Sequence, residues 1–243
     1  MTAPDTGPGD AAEVAVRPPV RLPFAGRAFA GELRAGLLLG AFVLAALADL
    51  VSLLAGARTG HLVAKPLLMP LLAAYVTVAG GPRLLVAALL LGWGGDVFLL
   101  LDADWAFLVG MGSFAAGHVC YLLLFGRART SPVVAAGYGA VLVGLVVLLW
   151  PDLPAELRGP VAGYSLLLTA LACRATGLGR LAGAGGALFL LSDALIATGM
   201  AGWPQLPAPD FWIMLTYCAA QLLLTAGAQQ RAAQAYGVGH TPV

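Results

Sequence analysis

The sequence is organised around residues 92–121, which read GWGGDVFLLLDADWAFLVGMGSFAAGHVCY. This segment contains an apolar run that carries Asp96, a short acidic turn, and a second apolar run that carries His118 and Tyr121. Two apolar runs joined by so short a turn predict two neighbouring helices. In water, an acid and a histidine at these positions would be unremarkable, so their meaning depends on what surrounds the helices.

The composition indicates that the surroundings are lipid. Of the 243 residues, 60% are hydrophobic and only 10% are charged, whereas soluble domains have about 25% charged residues. The net charge of +1 and the absence of a basic stripe give no reason to expect a nucleic-acid partner. Cys120, Cys173 and Cys218 lie singly in apolar runs, which predicts small core residues rather than a disulfide or zinc framework. We therefore predict an integral membrane protein.

Apolar runs of the length that crosses a bilayer, about 20 residues, recur along the chain. They predict an all-α membrane protein, a bundle of about eight transmembrane helices, at 34–55, 63–80, 83–101, 105–126, 132–150, 160–176, 181–200 and 210–229. Pro66 is expected in the first turn of the second helix, where its missing donor is not needed.

The spans form one predicted domain, residues 34–230, because no loop between them is long enough to fold alone. Residues 1–33 are predicted to be a flexible N-terminal tail, since Pro18, Pro19 and Pro23 interrupt any long helix there. Residues 231–243 are predicted to be a short C-terminal tail.

The basic residues predict the orientation of the bundle, because they favour the cytoplasmic side of a membrane. With a cytoplasmic N-terminus, the opposite side holds only Arg58, Lys65 and Arg158 of the 13 basic residues. Both termini are therefore predicted to be cytoplasmic. The predicted location of the protein is the plasma membrane, if it is bacterial.

Few ionisable residues lie inside the predicted spans, namely Asp49, Lys65, Asp96, His118 and Asp193. Such residues are costly in lipid and are by default functional hypotheses. In the predicted topology all of them except His118 fall in the outer half of the membrane, and His118 lies a little past the middle. This shared depth predicts one polar cavity that opens toward the outer leaflet.

Each of these residues also has a structural interpretation. Asp49 could pair locally with Arg58 or Lys65, and Lys65 could extend to the outer surface. His118 and Tyr121, one helical turn apart, could be a packing pair.

Two buried carboxyl groups in one cavity suit acid–base chemistry, because burial and a neighbouring acid both favour the protonated form of one of them. One group can then donate a proton while the other stabilises a cation or activates water, as in ether or vinyl ether cleavage. A proton relay or transport site would use the same residues. No HExxH, GxSxG, P-loop or GxGxxG motif is present, and one histidine inside the predicted cavity is too few for a metal site. No cofactor or metal is therefore predicted.

A set of short motifs in the predicted spans gives a more specific interpretation. These motifs are Lys65-Pro66, Gly95-Asp96, Phe114 with Gly117-His118 and Tyr121, and Phe189 with Ser192-Asp193. In this order, over about residues 34–230, the chain resembles the YhhN family of membrane proteins, whose characterised members are lysoplasmalogenases. The resemblance implies hydrolysis of the vinyl ether bond of a lysoplasmalogen-type lysophospholipid, giving a fatty aldehyde and glycerophospho-ethanolamine or -choline. The implied partners are this substrate and the membrane lipids.

The resemblance also suggests roles for the polar residues. Either Asp96 or Asp193 protonates the vinyl β-carbon, and the other carboxylate stabilises the resulting oxocarbenium ion and orients water. Lys65 would hold the substrate phosphate as a point charge. The supporting residues of the pocket would be Asp49, His118, Tyr121 and Ser192.

The main alternative is a membrane transporter or lipid-binding protein with a buried carboxylate and histidine site. A transporter predicts inverted repeats and broken helices, and the pairs Gly94-Gly95 and Gly185-Gly186 give a faint symmetry between halves. A receptor or scaffold would need larger partner surfaces than these short loops offer. The residues leave open which aspartate is the acid, which head group and chain are preferred, and the oligomeric state.

Overall fold

The computed structural model describes residues 23–101 and 103–238, and all the regular structure in these ranges is helical. The eight helices are α1 (Pro23–Leu54), α2 (Arg58–Val78), α3 (Arg83–Leu99), α4 (Asp104–Phe125), α5 (Pro132–Leu149), α6 (Ala155–Thr176), α7 (Arg180–Met200) and α8 (Pro209–Val238). The prediction of an all-α protein with about eight helices is confirmed.

Several helices are longer than the apolar runs that predicted them. Residues 23–33, which we assigned to a flexible tail, are the first turns of α1, because Pro23 stands at the helix start, where a proline needs no hydrogen-bond donor. Pro18 and Pro19 lie outside the described residues. The segment predicted as the C-terminal tail continues α8 as far as Val238. Since α2 already begins at Arg58, Pro66 lies inside this helix and not in its first turn.

Six helices are long and apolar enough to cross a membrane: α1, α2, α4, α5, α7 and α8. The protein is thus an integral membrane protein, as the composition indicated. The other two do not meet this criterion: α3 has only 17 residues, and α6 carries charged residues near both ends, Glu156 and Arg158 at the start and Arg174 in the last turn. That these two helices also cross the membrane, and that both termini are cytoplasmic, remain predictions.

Apart from α4 and α5, helices adjacent in sequence pack against each other, most extensively in the pairs α1–α2, α3–α4 and α7–α8. Helix α8 also contacts α1, α2 and α3, and α4 packs against α6. The core between the helices includes Phe42, Leu72, Leu89, Phe189 and Leu224. Helix α5 lies at the edge, where Leu149 is its one buried residue.

The close packing of α7 on α8 depends on Gly185. A Cβ atom at this position would lie 2.7 Å from the backbone nitrogen of Leu224 and 2.9 Å from the carbonyl oxygen of Ala220. Because both atoms belong to the backbone of α8, a side chain could be accommodated only if the helices moved apart. We expect Gly185→Ala to destabilise the fold by about 1–3 kcal/mol, the usual effect of overpacking.

The measurement is the midpoint of thermal unfolding in detergent, with Gly144→Ala in α5 as the matched control. Nothing lies within 4 Å of a Cβ atom at Gly144, so this variant should gain slightly from the higher helix propensity of alanine. Equal midpoints for the two variants would contradict the close approach at Gly185.

Candidate functional site

A cavity lies toward the end of the bundle where α2, α4, α6 and α8 begin, and we call the part nearest this end, around Trp150 and Arg158, its mouth. Its empty space, with the open mouth included, is about 1100 Å³. Most of its wall is apolar, and its polar side chains include Lys65, Asp96, Tyr164, Asp193 and Tyr217. Three ionisable residues that the sequence placed at one depth, on α2, α3 and α7, therefore line one cavity.

Asp96 is the most enclosed of the acids that line the cavity, with 2% of its surface exposed. The hydroxyl of Tyr217 in α8 donates a hydrogen bond to its Oδ2 atom over 2.7 Å. The Nζ atom of Lys65 in α2 lies 4.0 Å from its Oδ1 atom. Three helices thus contribute to the surroundings of one carboxyl group. The adjacent Gly95 leaves room for the ring of Phe114, which brings α4 close to this part of α3.

Asp193 in α7 has a similar but simpler partner. The hydroxyl of Tyr164 in α6 donates a hydrogen bond to its Oδ2 atom. Among the side chains that the structure describes, its Oδ1 atom has no hydrogen-bond partner, and no Lys or Arg lies within 4.0 Å of its carboxyl group. Each acid of the cavity therefore has its own tyrosine donor, Tyr217 for Asp96 and Tyr164 for Asp193, and among the described side chains Asp96 alone has a nearby cation.

Lys65 lies deeper than we expected from the sequence. Its side chain is 11% exposed, and its ammonium group faces Asp96 rather than the outer surface. This position makes Lys65 a counter-ion within the cavity.

Asp49 lies in α1 and does not line the cavity. Its Oδ1 atom is 2.7 Å from Nδ1 of His61, at the start of α2. The expected partners were Arg58 or Lys65, and the structure places His61 there instead. We missed His61 because the apolar run of the second span begins after it. Its spacing of four residues from Lys65, which puts both side chains on one helical face, was the available signal.

His118 and Tyr121 are buried, but neither lines the cavity. The ring of His118 packs on Tyr164, with centroids 5.3 Å apart, and on Phe189, with centroids 4.9 Å apart. Its ring nitrogens have no hydrogen-bond partner within the part of the chain that the structure describes. The hydroxyl of Tyr121 donates to Oε1 of Gln221 over 2.7 Å. The structure therefore brings neither residue to a carboxyl group, and His118 approaches the site only through the ring of Tyr164.

Ser192 lines the cavity beside Asp193. Its hydroxyl donates to the carbonyl oxygen of Ile213 over 3.0 Å and so ties α7 to α8. This bond fixes the backbone next to the acid.

Tyr164 and Tyr217 are the residues of the site that sequence reasoning missed. Both lie in apolar runs, where a tyrosine is common and carries no special signal. Both also lie in the first half of their helices, α6 and α8, at the end of the bundle where the cavity opens. Together they provide a hydroxyl donor for each acid.

This arrangement can transfer a proton and stabilise a positive charge within an apolar enclosure. Within residues 23–101 and 103–238, no group of three or more His, Cys, Asp or Glu side chains is placed to hold a metal ion. The chemistry that the described side chains can supply themselves is acid–base chemistry.

A comparison with known proteins finds a match that covers the residues of this site. The profile of the YhhN family matches residues 60–228. This chain belongs to the YhhN family. The match to the YhhN family begins at residue 60 and not near residue 34, as we expected, so α1 and Asp49 lie outside it. All the residues that line the cavity, from Lys65 to Tyr217, lie within it.

Individual proteins that are similar to this chain carry more specific names. The chain is 37% identical over 153 residues to "Lysoplasmalogenase TMEM86B" of Homo sapiens, an alignment that covers 61% of this chain and 65% of the human protein. It is 33% identical over 193 residues to "Lysoplasmalogenase" of Mycobacterium tuberculosis, covering 70% of this chain and 72% of that protein. No solved structure matches the chain.

Proposed function

We propose that this YhhN family member is a lysoplasmalogenase-like hydrolase. It would cleave the vinyl ether bond of a lysoplasmalogen-type lysophospholipid to a fatty aldehyde and glycerophospho-ethanolamine or -choline. The observation that carries the proposal is the pair of tyrosine-bonded aspartates, Asp96 and Asp193, at the polar part of an apolar cavity. The relatives named lysoplasmalogenase support the same reaction class.

The surroundings of the two acids suggest different roles. Lys65 beside Asp96 favours the carboxylate form, because a nearby positive charge stabilises the negative one. No described Lys or Arg side chain lies so close to Asp193, and Tyr164 occupies only its Oδ2 atom. We therefore assign the general acid to Asp193, with the proton on Oδ1, and the stabilising carboxylate to Asp96.

The reaction then follows in balanced steps. Asp193 transfers its proton to the vinyl β-carbon, and the carbon next to the ether oxygen becomes an oxocarbenium ion beside the carboxylate of Asp96. Water adds to that carbon, and one of its protons returns to a carboxylate. The hemiacetal collapses to the aldehyde and the free glycerol hydroxyl. The net change is one vinyl ether and one water converted to one aldehyde and one alcohol, with no redox step.

The alkenyl chain needs an apolar enclosure, and the cavity offers one. Its wall includes Met111 of α4 together with Leu142, Leu145 and Val146 of α5. Because α5 lies at the edge of the bundle, this wall borders the lipid. A lysolipid could therefore place its chain along α5 and its head group at the mouth.

The direct test is release of fatty aldehyde from a 1-O-alkenyl lysophospholipid by purified protein in detergent. The 1-O-alkyl analogue is the matched control, since it lacks the double bond that accepts the proton. In D₂O, with immediate reduction of the product by borohydride, we expect one deuterium at the former vinyl β-carbon. Aldehyde without this deuterium would contradict protonation at carbon.

A folded, monodisperse protein that releases no aldehyde would overturn the proposal. The alternative would then be a membrane transporter or lipid-binding protein that uses the same carboxyl groups. Retention of the alkenyl lipid without turnover would identify that outcome.

A further inference from the structure

Arg158, at the start of α6, lines the mouth of the cavity. Its guanidinium is held in place by the connection between α5 and α6. Nε donates to the carbonyl oxygen of Leu153 over 3.1 Å, and Nη2 donates to that of Pro151 over 3.1 Å. Its Cζ atom lies 5.9 Å from the ring centre of Trp150. The side chain is therefore oriented before any ligand arrives.

The described part of the chain provides no carboxylate that neutralises Arg158. Within residues 23–101 and 103–238, no Asp or Glu lies within 4.0 Å of the guanidinium. Asp152, in the same connection, instead accepts a hydrogen bond from Nε1 of Trp203 over 2.8 Å. A guanidinium has five N–H donors, and the two carbonyl bonds leave most of them available. Arg158 thus presents donors and a full charge at the entrance.

The cavity has a second cation, but that one is already paired. Lys65 lies beside Asp96 in the interior, while Arg158 is near the bundle end, where Trp150 is exposed. The two cations therefore differ in depth: Lys65 belongs to an ion pair inside the cavity, whereas Arg158 lies at the mouth with no carboxylate partner among the described residues. An anion that entered from the membrane surface would meet Arg158 first.

We infer that Arg158, and not Lys65, binds the phosphate of the lysophospholipid head group and so positions the vinyl ether at the aspartates. Arginine suits this role because its planar fork binds phosphate through two hydrogen bonds. The identity of the lipid rests on the proposed function. The phosphate site itself rests on the geometry of Arg158.

The spacing along α6 agrees with this assignment. Arg158 and Tyr164 differ by six positions, a rise of about 9 Å at about 1.5 Å per residue, and Tyr164 donates to Asp193. An extended chain advances about 3.6 Å for every three bonds, so the bonds that separate phosphorus from the vinyl β-carbon span about 8 Å. A phosphate on Arg158 therefore leaves the vinyl ether at the depth of Asp193.

The test measures equilibrium binding, which does not depend on turnover. The probe is a non-cleavable 1-O-alkyl lysophosphocholine, titrated into detergent-solubilised protein and followed by calorimetry. Arg158→Gln is compared with Arg58→Gln, which removes an exposed arginine at the same end of the bundle but outside the cavity. We expect Arg158→Gln to weaken binding about tenfold to hundredfold, as for loss of a charged hydrogen-bonded contact, and Arg58→Gln to leave it unchanged.

A phosphate-free probe, 1-O-alkyl glycerol, separates recognition of phosphate from damage to the cavity. It should bind equally well to the wild type and both variants, and Arg158→Lys should recover part of the lysophosphocholine affinity. Equal loss for both probes in Arg158→Gln, or no loss for either, would overturn the inference. Binding of glycerophosphocholine as tightly as the lipid would overturn a lipid occupant.

The failure of this inference can be told apart from failure of the proposed hydrolysis. If Arg158 governs lysophosphocholine binding but no aldehyde forms, the phosphate site stands and the reaction does not. If aldehyde forms, we expect Arg158→Gln to raise KM with kcat nearly unchanged for the phospholipid substrate. A fall in kcat at constant KM would contradict a role in binding the head group.

Discussion

Asp193→Asn should lower kcat for aldehyde release about hundredfold or more, while the protein remains folded. Asparagine has nearly the same shape, and its carbonyl oxygen can still accept the hydrogen bond from Tyr164 that Asp193 accepts. The amide N–H of asparagine is far too weak an acid, however, to protonate the vinyl carbon. A positioned general acid contributes about 10²–10⁴ in rate, which sets the expected loss. The measurement is single-turnover aldehyde release by purified protein in detergent.

The matched control is Asp152→Asn, which changes an exposed acid at the same end of the bundle that does not line the cavity. This variant should keep wild-type activity. Asp96→Asn should also be inactive, because the oxocarbenium ion would lose its carboxylate. Full activity of Asp193→Asn beside an inactive Asp96→Asn would exclude Asp193 as the acid and assign the proton donor elsewhere.

The helices could be predicted from sequence because each apolar run has the length of a membrane span, and the turns between runs are short and polar. The ends could not, because polar residues continue a helix beyond its apolar part. Pro23 at the start of α1 and His61 in the first turns of α2 illustrate this. Hydropathy detects the part of a helix in lipid and says little about the turns that project from it.

Depth in the membrane could be predicted for the site, but rotation about each helix axis could not. Counting residues along the spans put Lys65, Asp96 and Asp193 at one level, and these side chains line one cavity. The same counting put His118 near the floor of that cavity, yet its ring packs on Phe189 and Tyr164 and does not line the cavity. Packing decides which face of α4 points inward. Gly95 makes room for the ring of Phe114 on α4, but a glycine in the sequence does not indicate which side chain will pack against it.

The sequence also could not predict which side chains on different helices contact each other. Tyr164 and Tyr217 lie far in sequence from the acids they contact, and nothing in the local sequence of either marks it as a donor. Arg158 was counted only as a basic residue of the outer side. Its meaning depends on the carbonyl groups that orient it and on the lack of a nearby acid among the described residues, both of which are tertiary features.

Lys65→Met should destabilise the protein strongly, because it leaves Asp96 buried without its cation. Breaking one partner out of a buried ion pair costs about 3–5 kcal/mol, whereas methionine keeps most of the volume of the lysine stem. The midpoint of thermal unfolding in detergent should fall accordingly. Aldehyde release should fall as well, since an unpaired Asp96 in an apolar site favours its neutral form and a neutral group cannot stabilise the oxocarbenium ion.

The double variant Lys65→Met/Asp96→Asn separates these two effects. Removing both charges leaves no uncompensated ion, so the unfolding midpoint should recover toward the wild-type value, although Asp96→Asn alone should be destabilised by its unpaired lysine. Aldehyde release should stay absent, because the stabilising carboxylate is gone. If Asp96→Asn lowers the stability of Lys65→Met as much as it lowers that of the wild type, then Lys65 and Asp96 are not energetically coupled. The carboxylate form of Asp96, and with it the choice of Asp193 as the acid, would then have lost its physical basis.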